Sequence, residues 1–197
     1  MTSSVSASQP AKLSLMERLI GPYASPAEQW LSFGFSLMAG AVMALAIWLG
    51  QLDWHFWPAI LAILLAMDIG GGIVSNACAG AKRWFHRQGI NKRQHLIFIA
   101  FHGVQLGLFS WAFLDFDLSW LMAAWLWLML AGTLILITPR YLQRPLAMAL
   151  YMVSLMISFY WLTVPSALAW FLPLFYLKLL IAYLLNDVDI SKEPTHD

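Results

Sequence analysis

Six long apolar runs, each bounded by charged or proline-containing segments, dominate this sequence. They fall at about Ala27–Gly50, Phe56–Ala81, Gln94–Leu114, Leu118–Thr138, Pro145–Val164 and Ser166–Asn186. An α-helix rises about 1.5 Å per residue, so about 20 apolar residues cross a hydrocarbon core about 30 Å thick. Each run has that length, and together they leave no room for a separate soluble domain. A chain of this kind is expected to be all-α: a polytopic integral membrane bundle of about six transmembrane helices.

Composition agrees. Hydrophobic residues make up 61% of the chain, charged residues only 11%, and the mean hydropathy is +0.70. A soluble domain carries about 25% charged residues. Half that number cannot cover a water-facing surface, so the outer surface itself must be apolar. The single cysteine, Cys78, excludes an intrachain disulfide and reads as a small packing residue within an apolar stretch. A net charge of +1 and the lack of a basic tract argue against nucleic acid as a partner.

The remaining segments divide the chain. Residues 1–12 read as a disordered cytoplasmic tail without the pattern of a cleaved signal peptide. Over 13–26, Leu13, Met16 and Ile20 recur at helical spacing with Glu17 and Arg18 opposite. That predicts a short N-terminal interfacial amphipathic helix, broken by Pro22 and Pro26. The six-helix membrane domain then runs over 27–186, and 187–197 is a C-terminal cytoplasmic tail. Pro58, Pro145 and Pro165 are expected near helix entrances, where proline costs little. Pro173 lies inside the last run and is expected to kink it, freeing a carbonyl.

Charge asymmetry predicts orientation. Lys82, Arg83, Arg87, Lys92 and Arg93 fall between runs 2 and 3, and Arg140 and Arg144 between runs 4 and 5. With Lys12, Arg18 and Lys192, ten of the eleven basic residues lie on one side. The opposite loops carry Asp53, Asp115 and Asp117 and no Lys or Arg. The positive-inside rule then puts both termini in the cytoplasm, in a multi-pass membrane protein of a cytoplasmic or inner membrane if bacterial. Tryptophans near both predicted boundaries fit an aromatic belt. Trp125, Trp127 and Trp161 lie deeper and are expected to pack or to line a cavity.

Two charges break the apolar pattern: Asp68 in run 2 and Lys178 in run 6. Charges at this depth are costly and usually face the bundle interior. Counted from the outer ends of their runs, Asp68 lies about 16 Å deep, Lys178 about 18 Å and His102 about 20 Å. Three ionisable groups on three helices thus share one slab, the candidate mid-membrane site. The structural alternative is an Asp68–Lys178 pair locking helices 2 and 6, with His102 hydrogen-bonded in the core; Lys178 snorkelling to the cytoplasm is a further one.

On run 2, Asp68, Gly71, Gly72, Ser75 and Ala79 share one helical face, with Asn76 at its edge and Lys82 continuing it. Gly70, Gly71 and Gly72 are read chiefly as helix-packing glycines, with exposure of backbone to a ligand as the alternative. A secondary cluster toward the cytoplasm comprises Ser75, Asn76, Lys82, Arg83, His86, His95 and Gln105. His95 and His102 lie about 10 Å apart on one face and cannot share a metal. No metal and no cofactor is expected. Neither a glycine-rich phosphate loop nor a paired-cysteine metal site nor a His-Glu-x-x-His motif occurs.

The partners expected are the lipid bilayer and, at the basic loops, anionic lipids; a homo-oligomer is compatible with the sequence. Three functions compete. A small proton-linked transporter or permease would use Asp68, His102 and Lys178. A membrane-embedded enzyme acting on a lipid or isoprenoid would use His102 or Asp68 as acid/base. A non-catalytic assembly or interaction subunit would use the glycine face against a partner helix. A polar cavity reaching mid-membrane favours the first, a pocket open sideways the second, and no sizeable cavity the third.

Overall fold

The computed structural model describes residues 21–50, 52 and 54–186. The predicted N-terminal tail, most of the amphipathic segment and the C-terminal tail lie outside the described residues. The described chain is helical with no strand. Six of its helical stretches are long and apolar enough to cross a membrane: Pro26–Leu49, Phe56–Ala77, Lys92–Phe113, Leu118–Ile137, Arg140–Tyr160 and Ser166–Tyr183. That composition is compatible with a multi-pass membrane protein.

The first span, α1 (Pro26–Leu49), begins with a capping box. Ser25 accepts the Glu28 backbone N–H, and the Glu28 carboxylate accepts that of Ser25. Span 2 differs from expectation, because it is not one helix through Ala81. It ends as α2 (Phe56–Ala77), Cys78 takes an extended conformation with ψ 145°, and α3 (Ala79–Phe85) restarts. The break is stabilised from α1, since the Glu28 carboxylate accepts the Gly80 N–H at 3.1 Å and so serves the start of α3. Gly80 permits this approach: a Cβ there would sit 2.6 Å from the Ala24 Cα and the Tyr23 carbonyl. Cys78 thus occupies a helix junction rather than a helix interior.

Span 3 also departs from a single helix. It starts at Lys92, two residues early, under an Asn91–Gln94 capping box, and divides at His102 into α4 (Lys92–Phe101) and α5 (Gly103–Phe113). The cause lies in span 4, α6 (Leu118–Ile137): its Trp125 indole donates to the Ala100 carbonyl at 3.2 Å, inserting into the ladder. Gly103 makes the room, because a Cβ there would lie 2.6 Å from Trp125. Trp127, also deep, donates to Ser154 Oγ at 2.8 Å.

Pro145 is near a helix entrance but not at it. Span 5, α7 (Arg140–Tyr160), starts after Pro139, and Pro145 sits inside its second turn. There it removes one hydrogen bond, to the Tyr141 carbonyl, close enough to the helix start to be tolerated. Span 6 is the least regular: a 3₁₀ turn at Ser166–Leu168, α8 (Phe171–Tyr176) and a π-helical stretch at Leu177–Tyr183. The wide winding begins four residues past Pro173, and the Leu184 N–H donates to the Leu179 carbonyl in the π pattern. The helix restarts at Phe171, so Pro173 falls in the first turn of α8, where a missing N–H costs little, rather than kinking one continuous helix.

Span 6 is the most enclosed of the six, and spans 1 and 5 the least. Phe109, Phe171 and Phe175 form an aromatic stack through the core, with Phe109 and Phe171 centroids 3.9 Å apart. Span 1 packs along span 2, and span 2 in turn against the π-helical stretch. Lys178 is therefore surrounded by protein.

Candidate functional site

Span 1 meets span 2 through a seam of small residues. A Cβ on Gly70 would lie 2.6 Å from the Ala39 Cβ, and one on Gly71 2.8 Å from the Ser36 Cβ. Ser36 Oγ donates across the seam to the Met67 carbonyl at 2.9 Å. The third glycine has a different neighbour. A Cβ on Gly72 would lie 2.5 Å from Lys178 Cε and 3.2 Å from its Nζ, so Gly72 is the space through which the lysine reaches span 2. Two glycines set a helix–helix distance, and the third admits a charge.

That charge ends on Asp68. Lys178 Nζ and Asp68 Oδ2 are 2.5 Å apart, and the Gln105 amide nitrogen donates to the same oxygen, also at 2.5 Å. The lysine side chain is only 4% exposed, whereas that of Asp68 is 49% exposed. Asp68 therefore faces an open space on one side and a buried cation on the other. The π-helical winding places Lys178 here, and the Gln105 amide oxygen is buried without a partner.

The open space is a cavity of about 340 Å³. Asp68, His102 and Lys178 all line it. Ser32, Ser36, Ser75 and Asn76 add hydroxyl and amide groups, while Phe33, Met67, Phe85 and Phe98 form apolar walls. His102 Nδ1 lies 2.9 Å from the Phe98 carbonyl. A carbonyl only accepts, so Nδ1 carries the proton and Nε2 of the neutral ring is left as an acceptor. The break at His102 sets this ring at a helix junction. Among the described residues no group of three or more His, Cys, Asp or Glu is arranged to hold a metal.

The secondary cluster divides. Ser75 and Asn76 belong to the cavity, and Gln105 to Asp68, not to the basic end. Lys82 does not continue the Asp68 face, because the break at Cys78 redirects it. It is 5% exposed, and its Nζ donates to the Ala182 carbonyl at 2.5 Å and to that of Leu185. His86 Nε2 donates to the Tyr183 carbonyl at 3.0 Å, and His95 Nδ1 is 3.0 Å from the Tyr183 hydroxyl. Lys82 and His86 thus satisfy carbonyls at the C-terminal end of span 6, where a cation also complements the helix dipole. The His86 and His95 rings stack at 4.7 Å. Burial, with Lys82 and Arg140 nearby, lowers the His86 pKa to about 4, despite its bond to the Tyr183 carbonyl. Arg87 turns back over the Trp84 ring at 3.7 Å. Arg83 makes no hydrogen bond or ion pair among the described residues.

Sequence reasoning missed Ser32 and Ser36 on the cavity wall and Tyr183 at the basic end. The serines carried a legible signal, since Ser32 and Ser36 are one turn apart and lead into Ala39 and Gly40. Tyr183 carried none, because its role depends on the π-helical register.

No family model matches the chain, and comparison with curated proteins and with solved structures gives no significant match.

Proposed function

We propose that the protein is a small multi-pass membrane transporter whose substrate site is the cavity between spans 1, 2, 3 and 6. Both termini and the basic segments face the cytoplasm, as the distribution of Lys and Arg indicates. The observation that carries the reading is the convergence of Asp68, Lys178 and His102, from three spans, on one cavity. A structural lock between two helices needs no cavity and no third ionisable group with an unused ring nitrogen.

In this reading Asp68 is the exchangeable carboxylate. Its charge is held by Lys178 and Gln105, and protonation from the cavity side weakens both contacts and loosens span 6 from span 2. His102 offers Nε2 to a polar solute or to a relayed proton. The π-helical stretch after Pro173 supplies an irregular helix beside the site, the form that ion and solute sites in transporters commonly take. Ser32, Ser36, Ser75 and Asn76 suit a small polar solute. The test is charge movement across proteoliposomes challenged with panels of small amines, amino acids, sugars and carboxylates under a proton gradient. A solute-dependent current in the native protein that vanishes in Asp68→Asn supports the reading. Currents absent for every panel, or unchanged in Asp68→Asn, would sink it.

A second reading draws on the 49% exposure of the Asp68 side chain. A carboxylate so open on the flank of span 2 also suits a pocket entered sideways from lipid, with Asp68 or His102 as acid/base in an enzyme acting on a lipid or isoprenoid. Chemical conversion of an added lipid extract, without solute flux, would favour it.

A further inference from the structure

The basic end holds a second cavity, of about 180 Å³, distinct from the site between spans 1, 2, 3 and 6. Lys92 and Arg140 line it, each the first residue of its span, together with His86, His95, Gln143 and Asn186. Five separate elements contribute: the end of α3, the starts of α4 and α7, the end of α6 through Leu136, and the end of span 6. No Asp or Glu lines it among the described residues. Two side-chain cations therefore converge on one concavity with no described carboxylate between them.

We propose that this pocket binds a phosphate group. Arg140 supplies a planar fork and Lys92 a point charge, the pair of donors that a phosphate dianion accepts from different sides. The first turn of α7 has no side-chain cap, and with Leu142 donating to the Pro139 carbonyl it leaves the Arg140 and Tyr141 N–H groups at the start of the helix. Asn186 also lines the pocket, and its amide oxygen is buried with no partner. Turned over, the same amide presents an NH₂ donor in place of an orphaned acceptor. His86 and His95 form a stacked, polar back wall. His95 Nδ1 can accept from the Tyr183 hydroxyl, which leaves its Nε2–H as a donor for the ligand, whereas His86 spends its proton on the Tyr183 carbonyl and only walls the pocket. The volume suits a phosphate with its ester linkage and is too small for a nucleotide. The phosphate comes either from a lipid headgroup or from a free phosphate in water.

The site is tested on the full-length protein in detergent, by thermal unfolding with dioleoyl phosphatidic acid, with inorganic phosphate and with phosphatidylcholine as control. Stabilisation by phosphatidic acid and not by inorganic phosphate assigns the lipid headgroup. Stabilisation by inorganic phosphate alone assigns a free phosphate. In either case Lys92→Gln and Arg140→Gln, both at exposed positions, are expected to weaken binding about tenfold each, the worth of one charged hydrogen bond. Arg144→Gln, on the same helix but outside the pocket, should leave it unchanged. Native mass spectrometry of retained phosphatidic acid gives a readout independent of stability. No stabilisation by either ligand and no retained lipid would overturn the proposal, as would binding that survives the Lys92→Gln/Arg140→Gln double variant. Neither outcome bears on transport through the Asp68 site.

Discussion

Removing one partner of the Asp68–Lys178 pair is expected to have unequal effects, and the inequality follows from exposure. Asp68→Asn leaves Lys178, 4% exposed, as a stranded cation inside the bundle. Breaking a buried pair in this way costs about 3–5 kcal/mol. Lys178→Met leaves a carboxylate that is 49% exposed to a cavity and still accepts from Gln105. The open side of Asp68 and the surviving hydrogen bond limit that cost to about 1–2 kcal/mol. The double variant Asp68→Asn/Lys178→Met removes the stranded charge and should fall back to a loss of about 1–2 kcal/mol, for a coupling of about 3–5 kcal/mol. Reversible unfolding in mixed detergent micelles, with all four proteins at one pH, measures the cycle. The reasoning is refuted if Lys178→Met is the more damaging single change. It is equally refuted if the double variant is no more stable than Asp68→Asn.

Three further outcomes follow from the geometry. Gly70→Ala should destabilise by about 1–3 kcal/mol, because its Cβ meets the rigid Ala39 at 2.6 Å and spans 1 and 2 must separate. Gly72→Ala would meet the buried Lys178 Cε at 2.5 Å and crowd its pairing with Asp68, so it should lower stability and abolish solute-dependent current; a variant as stable and active as the native protein would contradict this. Lys82→Met should cost about 2–3 kcal/mol by uncapping Ala182 and Leu185, and a melting temperature unchanged in detergent would argue against the cap. His86 is neutral in the fold with a pKa of about 4, against about 6.5 when unfolded. Its contribution is complete above pH 6.5 and disappears as the pH falls toward 4, amounting to about 3 kcal/mol at most. His86→Gln, which keeps a donor for the Tyr183 carbonyl, should flatten the loss of stability between pH 7.5 and 4.5, and an identical pH profile would show that His86 is not its source.

The gross architecture could be read from sequence because it rests on additive quantities. Run length, apolar content and scarcity of charge together leave few folds open, and the span limits at Leu118–Ile137 and Pro26–Leu49 agree with expectation to within a residue. Breaks that depend on a partner helix could not be read. Cys78 interrupts span 2 because Glu28 of α1 serves the Gly80 N–H, and His102 interrupts span 3 because Trp125 takes the Ala100 carbonyl. Both causes lie far away in sequence. That Asp68, His102 and Lys178 share one depth was legible, since each residue could be counted from its span end, but their meeting on one cavity was not. Depth does not give azimuth, and for that reason Gln105 was grouped with the basic end although it bonds Asp68. Lys82 illustrates the converse. It fitted a lipid-facing charge by position, yet the turn at Cys78 carries it beneath span 6, where open carbonyls make a buried cation favourable. The three glycines were legible as a group but not individually, because only the position of Lys178 separates Gly72 from Gly70 and Gly71.

The central claim, that Asp68 faces a water-filled site inside a membrane-spanning bundle, is tested most directly by thiol accessibility at Met67, which lines the cavity. In a Cys78→Ser background, Met67→Cys in sealed vesicles is exposed to a charged thiol reagent that does not cross lipid. The account predicts modification, slowed by a transported solute once one is found in the current assay. Met67→Cys that resists the charged reagent yet reacts with a membrane-permeant one would contradict it, placing the Asp68 site in contact with lipid rather than with water.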